Sequence, residues 1–533
     1  MANIIAYDIG TTGVKTCLYS VEDRIKLLAS TSACYGLTVL ENGGVEQEPE
    51  DWFIAMCNTT KKIIAETNVS LIDGISFCSQ MQSLVLVDDK GNAVRRAMSY
   101  MDQRATQELK EGGGAPPHIA NMNIFRALLS LYITGAAPGS VKDPVWKYKW
   151  VEKNEKEIFK KVRWYLDVKE YLIMRLTGNA VMGEDSAFAT LLLDTRGGKR
   201  RWSRTMCKML GVNIDHLPKI IKSSDVAGLL GEKAARSLGL NAGIPVFAGG
   251  GDASLIAIGA GCTNCGDTHI YNGTSGWVST VVDKRTVDVN AMIAAIVGAV
   301  SGKYNYFAEM ETAGKCLEWV RDHLALDEIG IYLKKEHVAE ASDALYRSLY
   351  DYLSFTVAKA PVGSGGVIFT PYLHGNRCPF EDPNASSLFI GIRLETGKTE
   401  LIRAVIEGVA YHERWMLEYQ KKKVKVSSVI RFCGGGALSS VTAQILADVT
   451  GHTIEVIAEP QNVGAMGAAA VASVGLGLIS SMSDINKFLP EGKMYYPNMD
   501  NKRKYDAYYK IFKNLYKSNK KNYRALEEAR RCL

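Results

Sequence analysis

A short apolar segment that ends in an aspartate and a tight polar turn places the strongest constraint on how this chain folds. Ile4–Ile9 is predicted to be a strand, Gly10–Gly13 a turn and Val14–Tyr19 a second strand, so the two strands form a hairpin. The first strand brings Asp8 to the turn, where small residues let the backbone approach a bound group closely. Amides and hydroxyls in such a turn suit phosphate oxygens, and the Asp8 carboxylate suits a hydrated Mg²⁺. A plain hairpin turn is the alternative, and the Walker pattern GxxxxGK[ST] is absent.

A second series of similar signals begins near Pro245. The apolar Val246–Ala248 leads into Gly249-Gly250-Gly251-Asp252, and a predicted strand at Asp267–Asn272 ends in the turn Gly273-Thr274-Ser275-Gly276. Each half of the chain therefore carries a strand followed by a small-residue turn close to an aspartate. This indicates a loose internal duplication of one architecture.

The rest of the chain alternates short apolar strands with amphipathic helices, which predicts an α/β fold. A chain of 533 residues is long enough for two or more domains. We place the boundary at residues 245–255, giving domains 1–250 and 251–533. Further elements are predicted as helices at Asp51–Ala65, Pro144–Phe159, 255–265 and Arg503–Arg530, and as strands at Ile72–Ser79 and Leu84–Val87.

Charge and cysteine content argue against several classes of protein. A net charge of +6 is small for this length, and the basic residues near the C-terminus are expected to form a solvated helix face rather than a nucleic-acid surface. No apolar run reaches about 18 residues and no signal segment opens the chain, so we expect a cytoplasmic protein without a membrane partner. Cys262 and Cys265 have no second ligand pair at zinc-site spacing.

Two further glycine turns and one acid are candidates for chemistry. Asp252, held after three glycines, could accept the proton of an attacking hydroxyl in a phosphoryl transfer. The alternative is that it caps the helix that follows. Gly273–Gly276 offers a second set of donors for phosphate, and the glycine surface of Cys433–Ala437 could pack on a nucleotide base or ribose, or merely allow close packing.

Several segments, in the same order along the chain, resemble the FGGY carbohydrate kinase family, which lies within the actin-like ATPase superfamily. The resemblance extends over about residues 3–475. It is carried by Pro144–Asn154, Phe369–Pro383, Ser387–Ile392 with its continuation to Glu407, Gly434–Asp448 and Gly464–Ala470.

The resemblance implies two actin-like (ribonuclease H-like) domains with a catalytic cleft between them, and ATP and Mg²⁺ as the cofactors. By this resemblance Asp8 is the acid on the Mg²⁺ side and Asp252 is the general base. The positions that match the family's ATP contacts are Thr11, Thr12, Lys15, Thr274, Gly314, Glu318, Gly435, Gly436 and Ser440.

The expected sugar pocket departs from the family pattern. Ser79–Ser83 resembles the loop that reads GQMHG in xylulokinases, so Met81 and Gln82 are expected to contact the substrate, together with Asp252. Tyr100 and Asp102 match the stretch WxDxR and are expected to do the same, whereas Ala253 stands where xylulokinases usually have Asn. The resemblance therefore implies a kinase for a ketopentose. A polyol such as glycerol or erythritol, or a sugar acid such as gluconate, stays open as its substrate.

Two other functions stay open at this point: a sugar-independent actin-like ATPase, and a sugar-sensing relative that binds without turnover. The presence of both Asp8 and Asp252 argues against the second. Homodimers are common in such families, and the sequence leaves the oligomeric state open.

Overall fold

The computed structural model describes residues 2–69, 71–119, 121–325 and 349–532. Two large sheets organise the chain, and the first is built mainly from its N-terminal half. Its hairpin confirms the predicted strand–turn–strand, and Gly250–Gly251 pairs with the strand Gly74–Ser79 beside the main path of the sheet. The order across this sheet is Val226–Leu229, Pro245–Phe247, Gly74–Ser79, Ala2–Ile9, Gly13–Val21 and Ile25–Cys34.

The second sheet is built from the C-terminal half. Three neighbouring strands, Thr268–Asn272, Val429–Cys433 and Thr453–Val456, run parallel, and all other neighbours are antiparallel. The order across the sheet is Val287–Asp288, Ile293–Val297, Tyr304–Met310, Gly276–Val282, Thr268–Asn272, Val429–Cys433, Thr453–Val456 and Lys493–Tyr495.

Helices and short strand pairs surround the sheets. None of the helices in the described part of the chain combines the length and the apolar character that a membrane crossing needs. The α-helices are Pro49–Thr67, Thr106–Gly113, Ile124–Ile133, Pro144–Asn154, Lys156–Phe159, Val168–Thr177, Glu184–Ala189, Arg204–Leu210, Glu232–Leu238, Asp252–Gly259, Gly314–Val320, Leu349–Lys359, Lys398–Lys421, Ser440–Thr450, Val463–Gly475 and Met499–Arg531. The short strands are Thr38–Val39, Val45–Gln47, Val85–Val87, Ala97–Met98, His118–Ile119, Met122–Asn123, Trp164–Leu166, Val181–Gly183, Leu193–Asp194, Arg201–Trp202, Lys219–Ile221, Ile368–Phe369 and Phe389–Ile390.

Two predicted helices differ from the structure. The helix expected over Pro144–Phe159 is two helices, because Glu155 leaves helical geometry with φ −124° and ψ 53°. The helix expected over 255–265 instead spans Asp252–Gly259 and is followed by Gly261 with φ +76°. That left-handed conformation favours glycine and ends the helix.

A helix from the end of the second half covers one face of the first sheet. Val463–Gly475 packs its alanines against Ile4, Ala6 and Tyr19 of the hairpin and crosses the helix Asp252–Gly259. At the crossing, a Cβ on Gly467 would lie 2.0 Å from the Leu255 carbonyl oxygen, so glycine is required for this approach. The two halves thus share a core where the candidate site begins.

Candidate active site

Strand register brings three of the predicted segments together. The strand Gly74–Ser79 lies between the other two: Cys78 pairs with Asp8 on one side and with Gly250 on the other, both in parallel. Loops that follow neighbouring parallel strands leave the sheet at the same edge, which is where α/β proteins bind ligands. The turn after Asp8, the loop after Ser79 and the start of the helix at Asp252 therefore meet in one cleft.

Hydrogen bonds within the polar turn Gly10–Gly13 and from Tyr35 fix the shape of this turn. The Gly10 amide donates to the Gly13 carbonyl at 2.9 Å, and the Tyr35 hydroxyl donates to the Gly10 carbonyl at 2.5 Å. The Thr11 hydroxyl donates to the Tyr100 hydroxyl at 3.4 Å, and Thr12 is exposed. The turn thus presents its two threonines at the cleft.

Lys15 lies two residues beyond this turn, and its ammonium makes a hydrogen bond. It donates to the Gln461 carbonyl oxygen, immediately before the helix Val463–Gly475. Its charge also opposes the rise that burial causes in the pKa of Asp8. Lys15 therefore joins the hairpin to the helix that covers it, beside the predicted phosphate turn.

Asp8 lies against the N-terminus of the same helix. Burial raises the pKa of its carboxyl, while Lys15 and the Cys78 thiol oppose that rise. A Cβ on Gly464 would lie 2.8 Å from Asp8 Oδ2, so the helix approaches the carboxylate as closely as glycine allows. No cluster of three or more His, Cys, Asp or Glu that could hold a metal occurs in the described residues. Mg²⁺ commonly binds one or two carboxylates together with substrate phosphates, and a lone Asp8 fits that pattern.

Asp252 begins the helix Asp252–Gly259 and has the protonation behaviour of a base that works near neutral pH. Burial, with smaller contributions from Asp8, Glu309 and Asp185, raises its pKa to about 7, against the opposing hydrogen bond from the Ala253 amide at 2.7 Å. A pKa near the working pH is what general-base catalysis favours.

Asp185 is a residue that sequence reasoning missed. It is fully buried, and its Oδ2 accepts from the Gly251 amide at 2.7 Å, which holds the glycine run that carries Asp252.

Two buried ionisable side chains, Asp167 and Lys147, fix the loop with Met81 and Gln82. Neither of them was identified from the sequence as part of the site. Gln82 has φ +63°, and its amide and that of Ser83 donate to the Asp167 carboxylate at 2.8 and 3.1 Å. Lys147 donates to the Gln82 carbonyl at 2.8 Å. Burial raises the pKa of Asp167 and lowers that of Lys147 to about 8.

Met81 lies against the glycine run on the other side of this loop. A Cβ on Gly251 would lie 2.1 Å from Met81 Sδ. The predicted substrate loop thus contacts Gly251, the residue immediately before the predicted base.

Asp102, which is expected to contact the substrate, has both carboxylate oxygens paired within the protein. It is fully buried, its Oδ2 accepts from the Val45 amide at 2.8 Å, and both of its oxygens accept from the Arg104 guanidinium. Tyr100, two positions earlier, is half-buried at the cleft, and burial and the nearby Asp252 raise its pKa. The structure therefore brings Tyr100 to the site and leaves Asp102 behind it as an anchor.

Two neighbouring parallel strands of the second sheet also bring their following turns together, and a pocket forms there. Tyr271 pairs with Cys433 in parallel, so the turns at Gly273-Thr274 and Gly434–Gly436 leave the sheet side by side. The Gly314 amide donates to the Gly273 carbonyl at 2.7 Å, which seats the helix Gly314–Val320 on the turn. The pocket holds about 360 Å³ of empty space, partly open to solvent, and is lined by Asn272, Ala313, Gly314, Leu317, Ile406, Val409, Ala410, Glu413, Gly436, Thr442 and Leu446.

The predicted nucleotide contacts are only partly in this lining. Gly314 and Gly436 line the pocket, and Thr274, two positions after the lining residue Asn272, is exposed and outside the lining. Glu318 and Ser440 are exposed and Gly435 is half-buried, and none of the three is among the lining residues.

Glu413, a buried acid in the lining, was not predicted. It follows Ile406, Val409 and Ala410 at helical spacing, and this apolar stripe interrupted by one acid was the signal available in the sequence.

Comparisons with known proteins agree with this architecture. Residues 3–259 match the N-terminal domain of the FGGY family of carbohydrate kinases, and residues 269–476 match its C-terminal domain. The chain is 29% identical over 537 residues to the xylulose kinase of Bacillus subtilis, with all of both chains covered. It is 26% identical to the gluconokinase of the same organism, over 99% of this chain and 98% of the relative.

Solved structures give the same picture. The ligand-bound xylulose kinase of Lactobacillus acidophilus superposes with a TM-score of 0.83 at 26% identity, covering 99% of this chain and 100% of the other. The gluconate kinase of that organism has the same TM-score and identity, covering 98% and 99%. The two family domains together span most of the chain, in the order and over the sheets described above. The chain therefore belongs to the FGGY family of carbohydrate kinases.

Proposed function

We propose that this ATP-dependent sugar kinase phosphorylates a hydroxyl of a small neutral ketose, with a ketopentose such as xylulose as the first candidate. The observation that carries the proposal is the placement of Asp252, with a pKa of about 7, directly after Gly251, which lies against Met81 of the predicted substrate loop. The name of the Bacillus subtilis relative supports the choice of xylulose.

A neutral substrate is favoured over a sugar acid by the charge of the cleft. Burial raises the pKa of Asp8, Asp252 and Glu309, and the negative charges of Asp8 and Glu309 raise the pKa of Asp252 further. The Arg377 guanidinium nearby is paired with Glu309 at 2.5 Å. A substrate carboxylate would add a like charge to this group, which costs binding free energy. Gluconate is the second candidate, because a gluconokinase is also among the relatives.

In the proposed mechanism, Asp252 accepts the proton of the attacking hydroxyl as the bond from that oxygen to the γ-phosphorus forms and the bond from the γ-phosphorus to the β,γ-bridging oxygen breaks, which releases ADP. The main chain of the Met81–Gln82 loop and the Tyr100 hydroxyl orient the sugar, and the loop keeps its shape through Asp167 and Lys147. Asp102 acts indirectly, by anchoring Arg104. Positioning of this kind supplies much of the rate of a phosphoryl transfer.

The nucleotide would lie across both halves. Residues 251–533 would hold the nucleoside in the pocket lined by Gly314 and Gly436, and residues 1–250 would hold the sugar. Thr11, Thr12 and Thr274 would donate to the phosphates, and Asp8 would hold Mg²⁺. The bound ion would neutralise the charge of the β- and γ-phosphates.

The test is a coupled assay of ADP release with Mg·ATP against a panel of neutral ketopentoses, glycerol, erythritol and gluconate. We expect one ketopentose to raise turnover strongly and Asp252→Ala to abolish that rise. Turnover with gluconate alone would show that the substrate is a sugar acid rather than a neutral ketose. ADP release that does not depend on any added sugar would overturn the kinase mechanism in favour of an ATPase.

A further inference from the structure

The floor of the pocket in the second half holds two buried polar atoms without partners. Glu413 is 1% exposed and Asn272 is 6% exposed. Glu413 Oε1 and Asn272 Oδ1 have no hydrogen-bond partner among the described residues. Both residues line the same pocket, and the Asn272 side chain also contacts Glu413 through a hydrogen bond that lowers the acid's pKa.

The surroundings of the pair make these orphaned atoms costly. Apart from Thr442, the other lining residues are aliphatic or glycine. A buried donor or acceptor that lacks a partner costs about 1–3 kcal/mol, so most such groups in folded proteins are paired. An acid at the open floor of a pocket is explained if its partner arrives with the ligand.

We propose that Glu413 and Asn272 together recognise the nucleoside part of the bound nucleotide, by pairing with a donor and a neighbouring acceptor on it. The proposal rests on the proposed function, which puts a nucleotide in this pocket. Its subject is a pair of specificity-determining residues rather than the phosphates or the base catalyst.

The chemistry of the pair defines what it can recognise. Burial raises the pKa of Glu413 to about 8, so near neutral pH its carboxyl is mostly protonated and can donate. Asn272 Oδ1 can only accept. A donor beside an acceptor complements the adenine edge, where an amino group adjoins a ring nitrogen, and it equally complements a ribose hydroxyl. Both sources offer the same paired chemistry.

The two sources predict different discrimination. If adenine is recognised, a base with an oxo group in place of the amino group presents an acceptor to Asn272 Oδ1, and the pairing fails. If the ribose is recognised, removal of one ribose hydroxyl makes the pairing fail, and other residues contact the base.

The experiment is calorimetric titration of the full chain with ADP, IDP, 2′-deoxy-ADP and 3′-deoxy-ADP, without sugar, so that no turnover occurs. Glu413→Leu removes donor and acceptor, Glu413→Gln keeps both in neutral form, and Glu418→Gln is the control on the same helix outside the pocket. We expect Glu413→Leu to raise the Kd for ADP about tenfold, and Glu413→Gln and the control to stay close to the unmodified protein.

The analogues assign the source. If Glu413→Leu raises the Kd for ADP but not the Kd for IDP, the pair recognises the base. If it raises the Kd for ADP but not the Kd for one of the deoxynucleotides, the pair recognises the ribose. The thermal unfolding midpoint of Glu413→Leu is measured alongside to show that the variant is folded, because the substitution also removes the hydrogen bond between Asn272 and Glu413.

Two results would overturn the proposal: unchanged ADP affinity in Glu413→Leu, or an equal loss for all four nucleotides. Because binding is measured without sugar, failure of the sugar panel leaves this test intact. A chain that binds no adenine nucleotide at all would instead refute the proposed function.

Discussion

Replacing Asp252 with Asn should move activity and stability in opposite directions. Asn is nearly the same size but cannot accept a proton from the substrate hydroxyl. Loss of a general base commonly costs about 10²- to 10⁴-fold in rate. We therefore expect kcat to fall by at least about 100-fold, while the Kd for ADP, whose nucleoside pocket lies in the other half, changes little.

The stability change follows from the pKa. Asp252 ordinarily titrates at 3.8, and in the folded protein it titrates at about 7. Between these values the folded protein holds more protons than the unfolded chain, so the free energy of unfolding falls as pH rises, by about 4 kcal/mol across the window. Asn carries no charge to bury. Above pH 7 the variant should therefore be more stable than the unmodified protein, by up to about 4 kcal/mol.

Two assays check this reasoning. Steady-state kinetics from pH 5.5 to 8.5 should show kcat/KM of the unmodified protein falling about tenfold per pH unit below about pH 7. The residual kcat/KM of Asp252→Asn should not show this fall. Denaturant unfolding should show a stability gain of about 4 kcal/mol at pH 8 and a smaller gain, of about 1.6 kcal/mol, at pH 5. Retention of more than a tenth of kcat, or the same pH dependence of stability in both proteins, would refute the assignment.

Other parts of the site lead to three more expectations. Asp167→Asn should raise the KM for sugar about tenfold and leave the KM for ATP unchanged, because one of the two loop amides loses its acceptor; equal changes in both KM values would contradict this. Gly251→Ala should also raise the KM for sugar, since its Cβ must displace Met81; unchanged sugar kinetics would show that the loop adapts. Chelation of divalent ions should stop turnover, and Asp8→Asn should raise the Mg²⁺ concentration needed to restore it; an unchanged requirement would exclude Asp8 as the ligand.

The features that could be predicted from the sequence are those set by neighbours in the chain. The hairpin around Gly10–Gly13 depends on two adjacent apolar segments, and the structure confirms it. The boundary at Glu155 escaped prediction because the residues on both sides continue a helical pattern, whereas the break is visible only in the backbone geometry.

The supports of the site could not be predicted because their partners are distant in sequence. Asp167 accepts from an amide 85 positions earlier, and Asp185 from one 66 positions later. Nothing near either residue in the sequence distinguishes it from an ordinary helix cap or surface acid. For Asp102 the motif gave the right neighbourhood, but the fold of Arg104 back onto its carboxylate became visible only in three dimensions.

The helix Val463–Gly475 has a consequence for how the protein can be made. It covers a face of the first sheet whose first strand, with Ile4 and Ala6, leaves the ribosome more than 400 residues earlier. During synthesis that face stays uncovered until nearly the whole polypeptide has emerged and the helix Val463–Gly475 can pack on it. A fragment that stops at residue 259 would expose the same apolar face permanently. The two family domains are therefore separable as stretches of sequence but interdependent as folding units.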